Sequence, residues 1–509
     1  MAEQLRLAEL MAALSLATDL GMGQPLEQAL RTCLIAVALG ERLGLENEEL
    51  SEVYYVALLR FLGCTADAHE FAAMVGGDDI AIRAAIAPVL GGTQREFASQ
   101  VMPEVGKGHG PLRRARLLAG MLSGGQRHAR EGVRAGCELA ENLAARIGLA
   151  PNVRRGLRSA LETWNGTGFP DGAGGEDIPL SSRVVFVARD AEVLHRLGGS
   201  DRVKATLRAR SGVTYDPAIA STFLHYFAEV LAAAETASPW AAVLACEPEP
   251  HPWVPETRLD ATLEAFADFV DVKSPFTAGH SRGVAMLAAA AWSTDPATIR
   301  RAGLIHDLGR VSVPNGIWDK PSPLTEGEWE RVRLHPYHSE RILLRVARLE
   351  PLAALAGAHH ERVDGSGYHR GSKRPELTPQ ARVLAAADAY QAMTQPRPHR
   401  PAFTRETAAD ALRADARAGL LDINAVDDVL TAAGHQARRV HHSWPAGLSD
   451  REVEVLRLIC RGGTKKQAAE LLRISPATVD HHVRHIYDKV GVATRAGATL
   501  FAIKNDLLQ

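Results

Sequence analysis

Residues 303–310 carry the sequence GLIHDLGR, in which the neighbouring side chains of His306 and Asp307 can both bind a metal ion. More histidines and a second aspartate flank this pair, at intervals of roughly 25 to 30 residues. The full set is His280, His306, Asp307, His335, His359, His360 and Asp388. Residues so far apart must come from different helices or helix ends that converge on one point. Imidazole and carboxylate are ligands of zinc, iron and manganese. Seven such groups exceed the needs of one tetrahedral ion, so the sequence predicts two ions.

Asp307 and Arg310 indicate that the predicted metal site acts on a phosphate group. The carboxylate of Asp307 has two oxygens and can bridge two ions that lie near its helix. Arg310 follows one helical turn later on the same side, and its guanidinium suits a phosphate through paired donors. Two ions roughly 3.5–4 Å apart lower the pKa of a shared water and clamp a phosphoryl group for in-line displacement.

Residues 256–438 resemble the HD-GYP family, a helical branch of the HD phosphohydrolases. The resemblance rests on an ordered series of motifs that runs through nearly the whole segment. These motifs are residues 278–285, 303–310, 317–321, 324–329, 335–336, 359–368 and 387–390. Any single histidine of the set could instead be an ordinary core or surface residue, whereas the ordered set favours the metal site.

The resemblance implies how the ligands are shared between two ions. The first set is His280, His306, Asp307 and Asp388, and the second is Asp307, His335, His359 and His360. Iron, manganese or a similar divalent metal is implied, with a bridging hydroxide as the nucleophile and cyclic-di-GMP as the substrate. Asp307 and Arg310 are the implied catalytic residues. The residues implied to contact the substrate are Arg310, Asp364, Gly367 and Tyr368. Some relatives bind a third metal through a Glu four residues before the first His, where this chain has Phe276.

Two departures from the family pattern affect the prediction of the substrate, and neither removes a predicted metal ligand. The Gly-Tyr-Pro signature is changed by His369, and Val363 replaces the usual Trp of the same loop. Loss of Pro frees a backbone dihedral, and His369 itself is expected to be an exposed loop residue without a role. Hydrolysis is therefore predicted. The alternatives are a nucleotide-sensing transcription factor without catalysis, and a phosphohydrolase that acts on another phosphoester.

Residues 1–238 are predicted to be a degenerate copy of the same domain. Residues 162–170 align with 361–369 at an offset of 199 residues, and 182–191 align with 381–389, which indicates duplication rather than chance similarity of Gly-rich turns. Arg60 and Phe61 replace the His-Asp pair, and Ala160 and Leu161 replace the paired histidines. Asp190 is interpreted as the one surviving ligand. The copy is expected to serve packing, dimerisation or ligand sensing.

Residues 447–509 are predicted to form four short helices, begun by Ser449, Thr464, Ser475 and Thr494 as N-caps. The segment resembles the LuxR-type helix-turn-helix domain, which implies binding to double-stranded DNA. Ten Lys and Arg stand against seven acids between Leu448 and Gln509, as phosphate binding requires. The residues predicted to contact DNA are Thr464, Lys465, Lys466, Thr478, His481, Arg484 and His485. Asp480 weakens this attraction, and a protein-docking helical bundle is the alternative.

Composition limits the class of protein. A length of 509 residues predicts about three domains, here 1–238, 256–438 and 447–509, separated by a Pro-bearing stretch at 236–256 and a hinge at 441–447. The low aromatic content of 5% favours an all-α fold. Five scattered cysteines and the lack of a long apolar run indicate a cytoplasmic protein without a membrane segment. A homodimer is expected.

Overall fold

The computed structural model describes residues 5–434, 444–505 and 507–508. The chain divides into two compact units, Met1–Leu259 and Asp260–Gln509. The predicted hinge residues 441–443 and the predicted domain end at 438 lie outside the described residues. The C-terminal helices belong to the same compact unit as the helices that carry the metal-ligand motifs.

Helices dominate both units, and the prediction of an all-α fold is confirmed. The helices of the first unit are α1 (Leu7–Gly21), α2 (Gln28–Arg42), α3 (Asn47–Leu59), α4 (Ala68–Val75), α5 (Asp79–Ile86), α6 (Gln94–Gln100), α7 (Pro111–Ile147), α8 (Pro151–Arg158), α9 (Leu180–Arg210), α10 (Pro217–His225), α11 (Phe227–Ala232) and α12 (Pro239–Ala245). Those that follow are α13 (Glu256–Asp271), α14 (His280–Ala291), α15 (Pro296–Ile305), α16 (Asn315–Trp318), α17 (Glu326–Arg333), α18 (His335–Leu343), α19 (Glu350–Gly357), α20 (Pro379–Thr394), α21 (Arg405–Arg417) and α22 (Ile423–Ala432). The C-terminal four are α23 (Asp450–Cys460), α24 (Lys465–Leu472), α25 (Pro476–Val490) and α26 (Arg495–Lys504).

The Pro-bearing stretch after α12 closes the first unit instead of running free between domains. Its short strand β2 (Trp253–Val254) pairs antiparallel with β1 (Leu5–Arg6) at the start of the chain. The buried carboxylate of Glu247 accepts hydrogen bonds from Tyr55 Oη at 2.6 Å and Arg6 Nε at 2.9 Å. The stretch therefore packs as part of the N-terminal unit.

Equivalent hydrogen bonds identify which residues correspond in the first helices of the two copies of the repeat. In the N-terminal unit the carboxylate of Asp19 accepts the backbone N–H of Ala29 at 3.1 Å. In the second unit Asp271 accepts the N–H of Ser281 at 2.8 Å. The residue before Ser281 is the predicted ligand His280, so the amide of Gln28 stands where the second unit has this imidazole.

The loop after each paired-ligand position is built in the same way in both copies. Glu361 accepts the backbone N–H groups of Arg370 at 3.1 Å and Ser372 at 2.9 Å. Glu162 accepts those of Asp171 at 2.7 Å and Gly172 at 3.0 Å. A buried carboxylate thus closes the same loop twice, which supports the duplication.

The helix register corrects one interpretation of the N-terminal copy. Arg183 on α9 pairs with Asp216 at 2.6 Å, and Arg382 on α20 pairs with Asp422 at 3.3 Å, so the two arginines are equivalent. Six residues further along the two helices stand Arg189 and Asp388. The position of Asp388, a predicted ligand, is therefore occupied by Arg189 in the N-terminal copy, and Asp190 is the neighbour of that position.

Guanidinium groups occupy the centre of the N-terminal copy. Arg60 is the residue directly after α3, as His306 is the residue directly after α15, and both are buried. The guanidinium carbon of Arg60 lies 4.6 Å from the ring centre of Phe186, and that of Arg189 lies 6.0 Å from the ring centre of Phe61. Arg189 pairs with Asp190, which also accepts the hydroxyl of Tyr215 at 2.7 Å. Fixed cations at these positions leave no donor set for a divalent ion.

The four C-terminal helices begin at the predicted N-caps. The side chains of Ser449, Thr464, Ser475 and Thr494 each accept a backbone N–H of the first turn of their helix. Val479, Val483 and Ile486 face inward from α25 into a core shared with α23 and α26. Among the described residues, no helix combines the length and apolar character needed to span a bilayer.

Candidate metal centre

All seven predicted ligands meet at one buried point of the second unit. Their donor atoms form two triads in which all donors lie within 4.8 Å of one another. These triads are His280, His306 and Asp388, and His335, His359 and His360. A third group, whose donor atoms also lie within 4.8 Å of one another, consists of His306, Asp307 and His359. It links the two triads, because it takes one histidine from each. The division agrees with the two predicted ligand sets.

The His-Asp pair lies at a helix end, one of the two positions that the sequence allowed. Helix α15 ends at Ile305, His306 is its C-cap, and Asp307 leaves the helical conformation with φ −93° and ψ 9°. A 3-10 helix, Leu308–Ser312, follows at once. This turn brings Arg310 Nη1 to 3.0 Å from Asp307 Oδ2, on the same side as predicted.

Backbone carbonyls orient three of the histidines. The Nδ1 atoms of His306, His335 and His359 lie 2.8, 2.6 and 2.6 Å from the carbonyl oxygens of Gly303, Val332 and Ala356. Because a carbonyl can only accept, Nδ1 carries the proton and Nε2 presents its lone pair. His280 follows the same rule with a side-chain partner, since its Nδ1 lies 2.9 Å from Gln395 Oε1. In the neutral form of each of these four imidazoles, Nε2 is thus the atom that can bind a cation.

Asp307 lies between the two triads. Its carboxylate oxygens are 3.2 Å from His335 Nε2, 3.5 Å from His359 Nε2 and 3.6 Å from His306 Nε2. Burial by itself would raise the pKa of Asp307, but Arg310 and His306 hold this pKa well below its ordinary value. The carboxylate is therefore charged and faces both triads, which is the arrangement required of a bridging ligand.

The donor set fits divalent ions. Neither Nε2 of His306 nor Oδ1 of Asp307 has a hydrogen bond partner among the described residues, although both atoms are buried. Unpaired buried polar atoms cost free energy unless something satisfies them. Burial lowers the pKa of His335 to about 4 and also lowers the pKa of His280, so both imidazoles are neutral and able to coordinate. In contrast, the charges of Asp307 and Asp388 overcome burial and raise the pKa of His306 to about 9. A divalent ion would take over the charge balance that a proton on His306 provides.

Arg310 is fixed at the edge of the centre. Its guanidinium carbon lies 3.9 Å from the ring centre of Trp318, and the indole Nε1 donates to the carbonyl of Arg310 at 3.2 Å. A guanidinium held between a ring face and Asp307 retains donors for an incoming anion. The predicted catalytic position of Arg310 is thus consistent with its surroundings.

The predicted substrate-contact residues divide into two groups. The ring of Tyr368 lies 4.5 Å from that of His360 between centres, and Arg310 is at the centre as well. Asp364 is exposed, and its Oδ1 accepts the N–H of Ser366 at 2.9 Å within the loop. Gly367 is required for packing, since a Cβ there would lie 2.5 Å from the Cα of Glu361. The structure therefore brings Tyr368 and Arg310 to the centre and gives Asp364 and Gly367 roles within the loop.

The variant residue His369 is exposed, as the sequence predicted, but its imidazole is in contact with neighbouring side chains. Its backbone φ is +39°, 11% of the side-chain surface is exposed, and Nδ1 lies 3.9 Å from Glu361 Oε1. The ring also packs against that of Tyr337, with 6.1 Å between centres. His369 is thus an exposed residue of the signature loop whose ring lies against Glu361 and Tyr337.

Two residues near the centre escaped the sequence analysis. Gln395 binds His280. Arg397 is half-buried, and its guanidinium donates to the carbonyl of Phe276 and lies 3.5 Å from Gln395 Oε1. Burial and the neighbouring charge of Arg310 lower the pKa of Arg397 to about 10, so its guanidinium stays charged at neutral pH. The hydrogen bond from His280 to Gln395 spans 115 residues, and no local pattern signals it.

The predicted DNA contacts lie on the exposed faces of α24 and α25. Thr478, His481, Arg484 and His485 are exposed, and the rings of His481 and His485 stack with 4.1 Å between centres. The carboxylate of Asp480 pairs with both Lys465 and Arg484, the latter at 2.7 Å. Thr464 uses its hydroxyl as the N-cap of α24. The residues predicted to contact DNA are thus exposed on α24 and α25, and Asp480 lies between Lys465 and Arg484.

Comparisons with known proteins agree with both parts of this unit. A model described as an HD domain matches residues 264–425, and one for bacterial regulatory proteins of the luxR family matches residues 446–502. Over 409 residues, 78% of this chain and 88% of the relative, the sequence is 32% identical to 3'3'-cGAMP-specific phosphodiesterase 3 of Vibrio cholerae. The chain belongs to the HD-GYP family of cyclic nucleotide phosphodiesterases.

Other members of the HD-GYP family align in part or in whole. A crystal structure of a cyclic GMP-AMP-specific phosphodiesterase of V. cholerae superposes with a TM-score of 0.59 at 27% identity, and covers 86% of this chain and 99% of its own. A cyclic di-GMP phosphodiesterase of Pseudomonas aeruginosa is 39% identical over 113 residues, 22% of this chain and 27% of the relative. This HD-GYP protein also carries a luxR-type domain at its C-terminus.

Proposed function

We propose that this protein is a metal-dependent phosphodiesterase of 3'3'-cyclic dinucleotides that also binds double-stranded DNA. The observation that carries the proposal is the pair of buried triads joined by Asp307, with four Nε2 lone pairs and two carboxylates directed at one point. A buried site of this kind with no cation would be costly. Two divalent ions held by the seven ligands would activate water and neutralise the charge of a phosphodiester.

The protein's own residues supply binding and orientation. Arg310, held by Trp318 and Asp307, offers donors to a non-bridging phosphate oxygen. Tyr368, packed on His360, presents a broad ring beside the ligands and suits stacking with a nucleobase. Gln395 keeps the proton of His280 on Nδ1, and thereby keeps Nε2 as a metal ligand.

The substrate class follows from the relatives, and the particular dinucleotide needs a direct comparison. The relative that aligns over 78% of the chain is specific for 3'3'-cGAMP, whereas the Pseudomonas relative that acts on cyclic di-GMP aligns over 22%. We therefore propose 3'3'-cGAMP as a candidate substrate, in addition to the cyclic-di-GMP that was expected from the sequence. Val363 and His369 alter the signature loop next to the ligands, where a change of base preference would arise.

A nucleotide sensor without catalysis is the second candidate. It is favoured by His369, which stands in place of the proline of the signature and has its Nδ1 3.9 Å from Glu361 Oε1. A site of this kind would bind a dinucleotide and hold it without cleavage. The two candidates predict the same ligands and differ in turnover.

Hydrolysis assays separate these candidates. Full-length protein with Mn²⁺ or Fe²⁺ should convert 3'3'-cGAMP or cyclic-di-GMP to a linear dinucleotide, and Asp307→Ala should abolish this conversion. Asp410→Ala is the matched control, since this aspartate on α21 is 78% exposed and belongs to neither ligand set, and it should retain most of the activity. Binding of either dinucleotide without turnover would reject the enzyme and support the sensor.

The DNA-binding part of the proposal has a separate test. Arg484 is 72% exposed on the predicted recognition helix α25, where it can reach DNA. Arg484→Ala should weaken binding to a duplex by about 1–3 kcal/mol if the residue reads a base. Unchanged affinity for duplex DNA would remove α25 as the recognition helix.

A further inference from the structure

The loop between α13 and α14 lies between the luxR-type domain and the metal centre. We call residues 272–279 the docking loop. It starts one residue after α13 and ends one residue before the predicted ligand His280, the first residue of α14. Ala278 of this loop is 8% exposed and belongs to the same hydrophobic core as residues of α23, α25 and α26. Val272, at the other end of the loop, packs against that core as well.

Two close approaches show how tightly the luxR-type domain meets the docking loop. A Cβ added at Gly462, which follows α23, would lie 2.7 Å from Pro275 Cγ, so only a glycine fits there. At Gly279 a Cβ would lie 3.9 Å from Leu508 Cδ1. The backbone carbonyls of Leu507 and Leu508 accept hydrogen bonds from Arg457 and Arg461, both at 2.6 Å. The C-terminal tail is thus anchored where it touches the loop.

The other side of the docking loop is bonded to the catalytic domain. Lys273 Nζ donates to Asn315 Oδ1 and Ser274 Oγ to Asp319 Oδ1, both at 2.6 Å. The carbonyl of Phe276 accepts a hydrogen bond from Arg397, whose guanidinium also lies 3.5 Å from the Gln395 oxygen that binds His280. A displacement of the loop would therefore move His280 or its partners.

The middle of helix α26 is buried on all sides. Five successive residues, 496–500, are all buried, and since successive helical residues point about 100° apart they cover the circumference of the helix. Lys504 at the end of α26 is exposed, and the recognition face of α25 remains open. Leu508 and the shared core show that the luxR-type domain meets the docking loop on the side of the C-terminal tail, away from that recognition face.

We infer that the docking loop couples the metal centre to the docking of the luxR-type domain. This inference rests on the proposed function, because it assigns a regulatory role to the same metal ligands. Ions that fix His280 hold the loop in the conformation that receives Pro275 against Gly462 and Leu508 against Gly279. The docked domain in turn orders His280 in advance of metal binding. Such coupling is reciprocal, so undocking must weaken metal binding by the same factor by which metal loss weakens docking.

Mn²⁺ alone is a sufficient probe. Leu508→Glu places a charge in the contact from the side of the luxR-type domain. Pro275→Ala removes the ring that meets Gly462 from the side of the catalytic domain, and leaves the DNA-binding core intact. Leu344→Glu is the matched control, because this leucine of the same unit is 49% exposed and lies outside that core. Calorimetry gives the affinity for Mn²⁺, and hydrogen exchange reports on residues 272–279 and α26.

Both docking variants should accelerate exchange in residues 272–279 and α26, and weaken Mn²⁺ binding by about 5-fold or more. Leu344→Glu should change neither quantity. Faster exchange with an unchanged Mn²⁺ affinity would overturn the coupling, and unchanged exchange in both variants would overturn the docking contact. A parent protein that binds no Mn²⁺ would mark the failure of the proposed function itself, and would leave nothing to couple.

Discussion

The Nδ1 atom of His280 faces a side-chain amide, whereas the Nδ1 atoms of three other predicted ligand histidines face backbone carbonyls. A carbonyl three residues earlier cannot be removed by substitution, but Gln395 can. Partners of this kind fix the tautomer and ring orientation of a metal ligand. His280 is therefore the ligand whose geometry depends most clearly on a distant side chain.

Gln395→Leu should weaken binding of Mn²⁺ by about 10- to 100-fold, as loss of such partners commonly does. The physical reason is that the Nδ1 proton of His280 loses its acceptor, so the ring can rotate or change tautomer. Gln391→Leu, the same substitution one turn earlier on α20, is the control, and should keep the affinity within 3-fold. Equal Mn²⁺ affinities in the two variants, measured by calorimetry, would contradict the role of Gln395.

At the scale of elements, the signature loop depends on one buried carboxylate. Glu361 holds the far end of the loop through two backbone N–H groups, and Tyr368 donates its own N–H to the carbonyl of His360 at 3.2 Å. The loop thus returns to the ligand pair that precedes it. The N-terminal copy keeps Glu162 in the same place although it has lost the ligands, so this carboxylate serves the fold of the loop first.

Glu361→Ala should release the loop and lower kcat for the cyclic dinucleotide by about 10-fold or more, since the N–H groups of Arg370 and Ser372 both lose their carboxylate acceptor. Glu162→Ala is the matched control in the copy without ligands. It should lower the thermal unfolding temperature and leave kcat unchanged. A similar fall of kcat in both variants would mean that the loss of activity reflects general instability.

The recognition helix carries its own counter-charge. Asp480 pairs with Lys465 and Arg484, and these pairs hold the pKa of Asp480 below its ordinary value. Two cations that would otherwise meet phosphates are thus partly neutralised. The pairs also fix α24 against α25, because Lys465 lies at the start of one helix and Asp480 within the other.

Asp480→Ala should raise affinity for a duplex of mixed sequence and steepen the dependence of log K on log salt by about 0.9 for each cation released to a phosphate. Asp488→Ala changes the net charge of the same helix equally and is the control, with a smaller effect. Fluorescence anisotropy at several salt concentrations measures both. Identical slopes for the two variants would show that the pairing at Asp480 does not limit phosphate contacts.

The elements also show what the sequence could and could not predict. The C-terminal helices were predicted at their N-caps because Ser449, Thr464 and Ser475 act within one turn of themselves. The ligand set was predictable because the residue types determine the chemistry. Gln395 was missed since its contact joins distant segments. Asp190 was misassigned because two aspartates were paired by residue type, whereas the offset of 199 residues places Arg189 at the position of Asp388. The end of α15 at Ile305 likewise depends on the turn that positions Asp307.

For the whole molecule, the repeat separates into one copy with a donor set and one with fixed cations. In the second unit two aspartates and five histidines face one point, whereas Arg60 and Arg189 occupy the corresponding positions in the first unit. Burial and the nearby charge of Arg189 lower the pKa of Arg60 to about 9, which leaves it charged at neutral pH. Such a centre repels divalent ions.

All bound metal should therefore belong to one unit, at about two ions for each chain as expected for a two-metal site. Asp388→Asn should lower the Mn²⁺ content of the purified protein, because it removes a charged ligand of the first triad. Asp190→Asn makes the same change in the N-terminal copy and should leave the metal content unaltered, although it weakens a buried ion pair with Arg189 and lowers stability. Elemental analysis after removal of free metal measures both variants. Loss of an ion in Asp190→Asn would show that the N-terminal copy binds metal. It would also show that the charges of Arg60 and Arg189 do not exclude a divalent ion from this copy.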